Sequence, residues 1–492
     1  MLKLEISIDD TSGPWRWDGR RWTHGRSWIE PYIHPALEYL CTGDRFCIRE
    51  RVAGCDGQQP ADFLDVQIDA GRVRLTAGPQ GVAPLYVTEQ AGILHGSWDL
   101  LDLRPYIAPG KLLDREVARL LAFRVRYGHD TVFAGVHRIS ERSTAAYDRD
   151  GLTLHYPEPA LHSRARQLRP DVDDAAVIDA YEQQLAQAVA DHRYDPASSC
   201  VELSGGTDSA NVAATLGALH PAQVSAGALI ILGDAGRQQI RRRDAFIDLL
   251  QLGTDTQVTL DGRLPFCPGG RRGPYDDAYS EAKYILLARL ADQGVRTVFT
   301  GIGGDEMVAV TSREWPRPPY GTELETKPWI GDRVVDGLKE AENNVAPAAV
   351  INEMTLSAQA CAAPAFLRAG MWPVHPLADP RLITFGEWLP LEWRRHKRLH
   401  RERLERRGCH GELPHPPLVE NFAPVMREGL HRHGVAHLDI MLGEGSPLID
   451  GGYVAADGLA DARDRIACGR FLERDAELYM VLALDLTLRS FS

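Results

Sequence analysis

Two short segments carry residue types that can handle phosphate. The first is Ser204-Gly205-Gly206-Thr207-Asp208-Ser209, which follows the apolar run Cys200–Leu203. Glycines let a backbone approach an anion closely, and a helix starting here would offer free N–H groups and its positive dipole end. The Ser204 and Ser209 hydroxyls add donors. Asp208 would repel a bare phosphate, so its presence points to a bridging Mg²⁺. The Gly-Lys-[Ser/Thr] ending of a Walker A loop is missing. The second segment is Thr300-Gly301-Ile302-Gly303-Gly304-Asp305-Glu306, after the apolar run Thr297–Thr300. Alone, each segment also reads as an ordinary glycine-rich turn. Both in this order, each at the carboxyl end of a strand, point to one ligand site, with Asp208 and Asp305 reaching one cation from opposite sides.

The elements that must position these segments can be read from periodicity. Residues 1–155 show short alternating runs such as Arg72–Thr76, Leu85–Thr88 and Gly92–Leu94 between Gly, Pro and Asp turns, so this part is mostly β, with one helix at Asp114–Phe123. Residues 156–172 are rich in Pro and Arg and read as a linker. From 173 to 492 the pattern changes. Asp173 or Asp174 N-caps a helix to about Arg193, with Ile178, Tyr181, Leu185 and Val189 along one face. Strands are expected at Cys200–Leu203, Val224–Leu232, Thr256–Leu260 and Thr297–Thr300. Helices are expected at Ser209–Leu219, Arg241–Leu252 and Tyr279–Gln293, and a largely helical, irregular region beyond Thr311. Strands alternating with helices imply a parallel sheet covered on both faces.

Bulk properties exclude several classes. The chain has 492 residues, a net charge of −13, 44% hydrophobic and 25% charged residues. An acidic total argues against nucleic acid. No apolar run reaches the length of a membrane span, and the N-terminus has no signal-peptide core, which reads as cytoplasmic. Eight scattered cysteines without a Cys-x-x-Cys pair argue against a zinc ribbon or a disulfide scaffold. His431, His433, His410 and His415 have no ligand-like companions. The basic run Arg394–Arg407 reads as a solvated helical face or a clamp for an acidic peptide.

The two phosphate segments together resemble the asparagine-synthetase superfamily of N-type ATP pyrophosphatases. Gly78–Tyr86 looks like that family's Asp-x-x-Gly-x-x-Pro-Leu-Tyr segment, and Thr131–Val136 like the end of its glutaminase domain. The resemblance implies an α/β chain: an N-terminal Ntn-hydrolase-like β sandwich over 1–155, and an adenine-nucleotide alpha-hydrolase-like parallel sheet with a helical extension over 173–492. It implies ATP and Mg²⁺ as cofactors. Leu203, Ser204, Gly205, Gly206, Asp208, Ser209, Gly301, Gly303 and Gly304 would bind ATP and its pyrophosphate, and Asp208 and Asp305 the metal.

Leu2 stands where a working glutaminase domain carries its cysteine, and the first cysteine is Cys41. Branches without that cysteine use an amine already on the substrate. They include β-lactam synthetases and lasso-peptide macrolactam cyclases, and Glu473–Arg489 looks like the closing helix of the latter. The resemblance therefore implies ATP-dependent amide formation through an acyl-adenylate. The expected substrate is a precursor peptide or a small amino acid, with a leader peptidase and a leader-binding protein as further partners. A small-molecule amide or lactam ligase and a nucleotide-binding scaffold are the alternatives. Asn352-Glu353-Met354 resembles the segment bearing the glutamate of a Tyr–Glu pair, whose tyrosine is replaced here by Ile302. Glu353 reads as a general base on the attacking amine or as a surface charge. The family's Lys-x-Gly-Phe-like segment matches His415–Phe422, which has no lysine. Lys397 follows Leu389-Pro390-Leu391-Glu392-Trp393 and is the last lysine in the chain. It, or a neighbouring arginine, is the cation expected at the adenylate; a solvated surface lysine is the competing reading.

Overall fold

The computed structural model describes all residues except 54–61, 161–172, 269–272, 311–313, 315–326 and 492. Most of the expected linker therefore lies outside the described residues. The N-terminal part forms two antiparallel sheets of seven and six strands. Leu2–Ser7 sits inside the seven-stranded sheet, between Ile93–Ser97 and Ser27–Pro31. Its side chains alternate strictly enough to bury Leu2, Leu4 and Ile6, and across the gap the second sheet buries Phe46, Ile48, Val66, Ile68, Val73 and Leu75. This is the two-layer solution that period-2 patterning requires. Arg72–Ala77, Leu85–Gln90 and Ile93–Ser97 are strands and Asp114–Leu121 is a helix.

The C-terminal part is built on a five-stranded parallel sheet. Its spatial order is Asp255–Thr259, Ser225–Ile230, Ser199–Glu202, Thr297–Phe299, Trp372–Val374. The chain winds outward on one side from Ser199–Glu202, then crosses to the other side to place Thr297–Phe299 against it, with Val201 opposite Phe299. That reversal makes the gap beyond Glu202 and Phe299 a topological switch point, where open α/β sheets bind ligands. The Ser204–Ser209 and Thr300–Glu306 segments leave from these two strands.

Helices cover both faces. Thr207–Leu219 and Asp174–Ala190 pack on one, and Ser280–Asp292 and Glu353–Arg368 on the other. The helix expected from Arg241 begins eight residues earlier and spans Gly233–Leu249. Gly233 and Gly236 disguise its start. At Gly236 the helix runs so close to the previous strand that a Cβ would lie 2.0 Å from the Ile231 carbonyl oxygen.

The two parts share one hydrophobic core. Polar bonds cross between them: the buried Trp372 Nε1 donates to Glu50 at 2.6 Å, and the half-buried Tyr32 donates to the Leu367 carbonyl at 3.0 Å. The closing helix Leu478–Phe491 returns to the N-terminal part, stacking Phe491 on Phe133 with ring centres 5.1 Å apart. No helix among the described residues is long and apolar enough to cross a membrane.

Candidate active site

Helix Thr207–Leu219 starts at Gly206, which gives it no side-chain cap. Its first-turn N–H groups therefore face the mouth of the Ser204–Ser209 loop, the arrangement that receives anions at helix starts. The loop holds its own shape. Gly205 takes φ +91°, which favours glycine. The Gly206 N–H donates to Ser204 Oγ at 3.1 Å, and the Ser204 N–H to Ser209 Oγ at 3.2 Å. From behind, the Gln239 amide donates to the carbonyls of Ser204 at 2.7 Å and Leu229 at 2.8 Å, and accepts the Ile231 N–H at 3.0 Å. Leu203 is fully buried and anchors the loop to the sheet.

The second segment lies directly against the first, and its glycines allow this. A Cβ on Gly301 would sit 2.8 Å from the Ser209 amide nitrogen, and one on Gly304 would sit 2.6 Å from Asp208 Cγ. Gly303 takes φ +95° where the chain turns over Ala378. Thr300 fixes the start of the turn: its hydroxyl oxygen accepts the Ile302 N–H at 3.2 Å and lies 2.7 Å from His375 Nδ1. Burial holds His375 neutral, its imidazole lowered to about 3.

The Lys397 ammonium lies 2.7 Å from Asp208 Oδ2 and 2.7 Å from Asp305 Oδ1. Burial alone would lower its basicity; Asp208 and Asp305 outweigh that and raise it, so the ammonium stays charged. The three residues expected from sequence to handle charge therefore meet at one point. The helix that follows, Arg398–Arg406, is stitched to the phosphate-loop helix by buried polar bonds. Arg403 donates to Asn211 Oδ1 at 3.0 Å and to Thr215 Oγ1 at 2.8 Å, and Asn211 donates to the His400 carbonyl at 3.0 Å. His400 Nε2 lies 3.1 Å from the Gly304 carbonyl, which can only accept, so this nitrogen carries the proton and Nδ1 takes the Tyr181 hydroxyl at 2.8 Å. The basic run is thus not a uniformly solvated face: Arg394 and Arg403 are buried.

Asp208 and Asp305 fit a Mg²⁺ site. Mg²⁺ is commonly held by one or two carboxylates plus substrate phosphates, and these two carboxylates already converge on a cation. No cluster of three or more His, Cys, Asp or Glu side chains able to hold a metal occurs among the described residues.

Glu353 is not joined to this group by any bond among the described residues. Arg126 donates to it at 2.6 Å, and it lines a cavity of about 320 Å³ with Tyr127, Pro347, Ile351 and Leu356. The His415–Phe422 stretch does reach the phosphate loop, but brings an acid: a Cβ on Gly205 would lie 3.3 Å from Glu420 Oε1. Burial raises the Glu420 carboxyl, against the pull of Arg242 at 3.5 Å and of Arg243. Sequence reading also missed Lys283, which pairs with Glu202 two residues before Ser204 and lies 4.5 Å over the Phe366 ring. The scarcity of lysine was the one available signal for it.

No family model matches this chain, and no curated relative does. Among solved structures it is similar to glutamine phosphoribosylpyrophosphate amidotransferase from B. subtilis complexed with ADP and GMP. The likeness has 7% identity, covers 61% of this chain and 82% of that one, and has a TM-score of 0.18. At that identity and score it says nothing about the chemistry of this chain.

Proposed function

We propose that this chain is an ATP-dependent amide ligase that activates a carboxylate as its adenylate. The observation that carries this reading is the meeting of Asp208, Asp305 and Lys397 at the mouth of the Ser204–Ser209 loop. A carboxylate is unreactive toward amines until its oxygen becomes a good leaving group. In the proposed first step a substrate carboxylate oxygen attacks the α-phosphorus of ATP, and pyrophosphate leaves into the N–H groups of the loop and helix start. Mg²⁺ on Asp208 and Asp305 would neutralise the phosphate oxygens. Lys397 supplies the positive charge that the His415–Phe422 stretch lacks. In the second step an amine attacks the acyl carbon, the C–N bond forms, the acyl C–O bond to phosphate breaks as AMP leaves, and the amine nitrogen gives up a proton to solvent.

The specific reading we favour is macrolactam formation, joining the N-terminal amine of a precursor peptide to one of its own Asp or Glu side chains. Holding both groups of one molecule in one site gives effective molarities of about 10⁵ M or more. The motif resemblance and Leu2 support it over glutamine-dependent synthesis; a small-molecule amide or lactam ligase is the second enzymatic reading. Incubation with Mg·ATP and candidate peptides, following pyrophosphate, AMP and loss of water from the peptide, tests the proposal. Release of ADP and phosphate instead of AMP and pyrophosphate would overturn it.

A further inference from the structure

Lys397 does more than stand near the two carboxylates: its ammonium fills the gap between them, 2.7 Å from an oxygen of each. Mg²⁺ binds carboxylate oxygens at about 2.0–2.1 Å. A cation held by both Asp208 and Asp305 would have to enter the gap that the ammonium fills, and an ammonium beside a dication is strongly repelled. We propose that Lys397 and the divalent cation exchange at this gap, so that metal binding displaces the lysine and the lysine closes the gap when the metal leaves. The idea rests on the ligase reading only for its purpose; the exchange itself is a property of three side chains.

Local backbone supports a movable lysine on a fixed base. His396 and Lys397 take φ +53° and +55°, two successive residues in the left-handed region. Non-glycine residues hold that conformation only where surrounding contacts impose it. The Arg398 N–H on the Arg395 carbonyl closes this turn, and the Lys397 side chain is held beyond it by Asp208 and Asp305. The following helix is fixed by Arg403 and His400, so displacement is confined to the turn and the lysine stem. Asp305 is 72% exposed at its side chain, which leaves a solvent path for the incoming cation. In the displaced position the ammonium is freed to meet a phosphate oxygen while the carboxylates hold metal. The same residue then serves two states: a plug without metal and a phosphate ligand with it.

Mn²⁺ tests this without any knowledge of the substrate. Its free concentration can be read by electron paramagnetic resonance with full-length protein and no nucleotide. Lys397→Met keeps the stem and removes the charge. It should bind Mn²⁺ about tenfold tighter than wild type or better, the scale expected when two competing ion pairs are removed. Lys397→Arg should stay weak. Equal Mn²⁺ affinity in wild type and Lys397→Met would overturn the exchange, as would tightening that survives Asp208→Asn. A second measurement needs no variant. Acetylation of wild-type Lys397 by acetic anhydride, read by mass spectrometry against Lys111, should speed up severalfold at saturating Mn²⁺. An unchanged or slower rate would contradict displacement. Failure of the ligase assay with every peptide would leave both results untouched.

Discussion

Glycine-bearing turns occur in both parts of the molecule, one in the N-terminal part and two at the parallel sheet, and they end differently in space. In the N-terminal part, Gly78–Leu85 closes with Met1, Asp62 and Glu141 on a cavity of only about 20 Å³. That holds roughly one water, against the hundreds of cubic ångströms of a small-molecule pocket. Burial pushes the Asp62 carboxyl up to about 6 and the Glu141 carboxyl up to about 7. At the parallel sheet, the turns after Glu202 and Phe299 leave two carboxylates and an ammonium facing one mouth, and the ion pairs keep Lys397 charged. The difference lies in what the polar groups are paired with. Asp62 spends its oxygens on the backbone N–H groups of Gln80 at 3.2 Å and Val82 at 2.9 Å, whereas Asp208 and Asp305 spend theirs on the Lys397 side chain. A polar group bound to its own backbone stabilises a fold; one paired with a distant side chain at an open mouth is placed to meet a ligand.

The sharpest way to break this contrast is to neutralise the sheet mouth. Asp208→Asn and Asp305→Asn should each lower substrate-dependent pyrophosphate release by about 10³-fold or more, since a preorganised charge at a reacting phosphate is commonly worth that much. Their melting curves should stay near wild type. Release at wild-type rates from either variant would remove that residue from the site. Next in size is Lys397→Ala, expected to slow single-turnover product formation by about 10²-fold with Mg²⁺ saturating. An unchanged rate would leave Lys397 as a structural ion pair.

The opposite result is expected at the N-terminal turn. Asp62→Ala leaves the buried Gln80 and Val82 N–H groups without their acceptor. It should lower stability by about 1–3 kcal/mol by denaturant unfolding, the usual penalty for such a group. The rate per folded molecule should not change, and labelled glutamine should put no label in the product. A rate loss without a stability loss would mean that this turn still takes part in the reaction.

Much of this architecture was legible before any coordinates. Apolar runs entering Ser204 and Thr300 placed both glycine-rich turns at strand ends, and period-2 alternation marked the N-terminal part as mostly β. Trp372–Val374 escaped because it is three residues long with Pro373 in the middle; proline is tolerated there because the strand lies at the sheet edge. Lys397 was reachable by elimination, as the last lysine. Its contact with Asp208, 189 residues away, was not. Glu420 over Gly205 and Lys283 on Glu202 are likewise products of distant packing, and no local pattern announces them. Glu353 reads from its motif as a general base or a surface charge, and the partner the structure gives it, Arg126 from the N-terminal part, is one no local pattern announces.

The last effect, read as a pH slope, lies where the two parts meet. Glu50 is buried at their interface, accepting the Trp372 indole N–H. Burial, with Asp62 nearby, pushes its carboxyl up to about 8, while a free glutamate sits near 4.5. Between those values the folded chain holds a proton that the unfolded chain has lost. Stability must therefore fall as pH rises from about 4.5 through about 8, with a limiting slope of about 1.4 kcal/mol per pH unit for one proton. His192, 3.7 Å from Glu50, works in the other direction: burial lowers it to about 4, so its share of stability falls as pH drops below about 6.5. The two slopes have opposite signs and separate on the alkaline side, where Glu50 titrates and His192 does not. Glu50→Gln keeps an oxygen for the Trp372 N–H and removes the titration. Urea unfolding between pH 6.5 and 9 should show a flatter profile for the variant, with the gap to wild type widening as pH rises. Parallel profiles would mean that Glu50 is ionised in the folded protein and that His192 shares its charge.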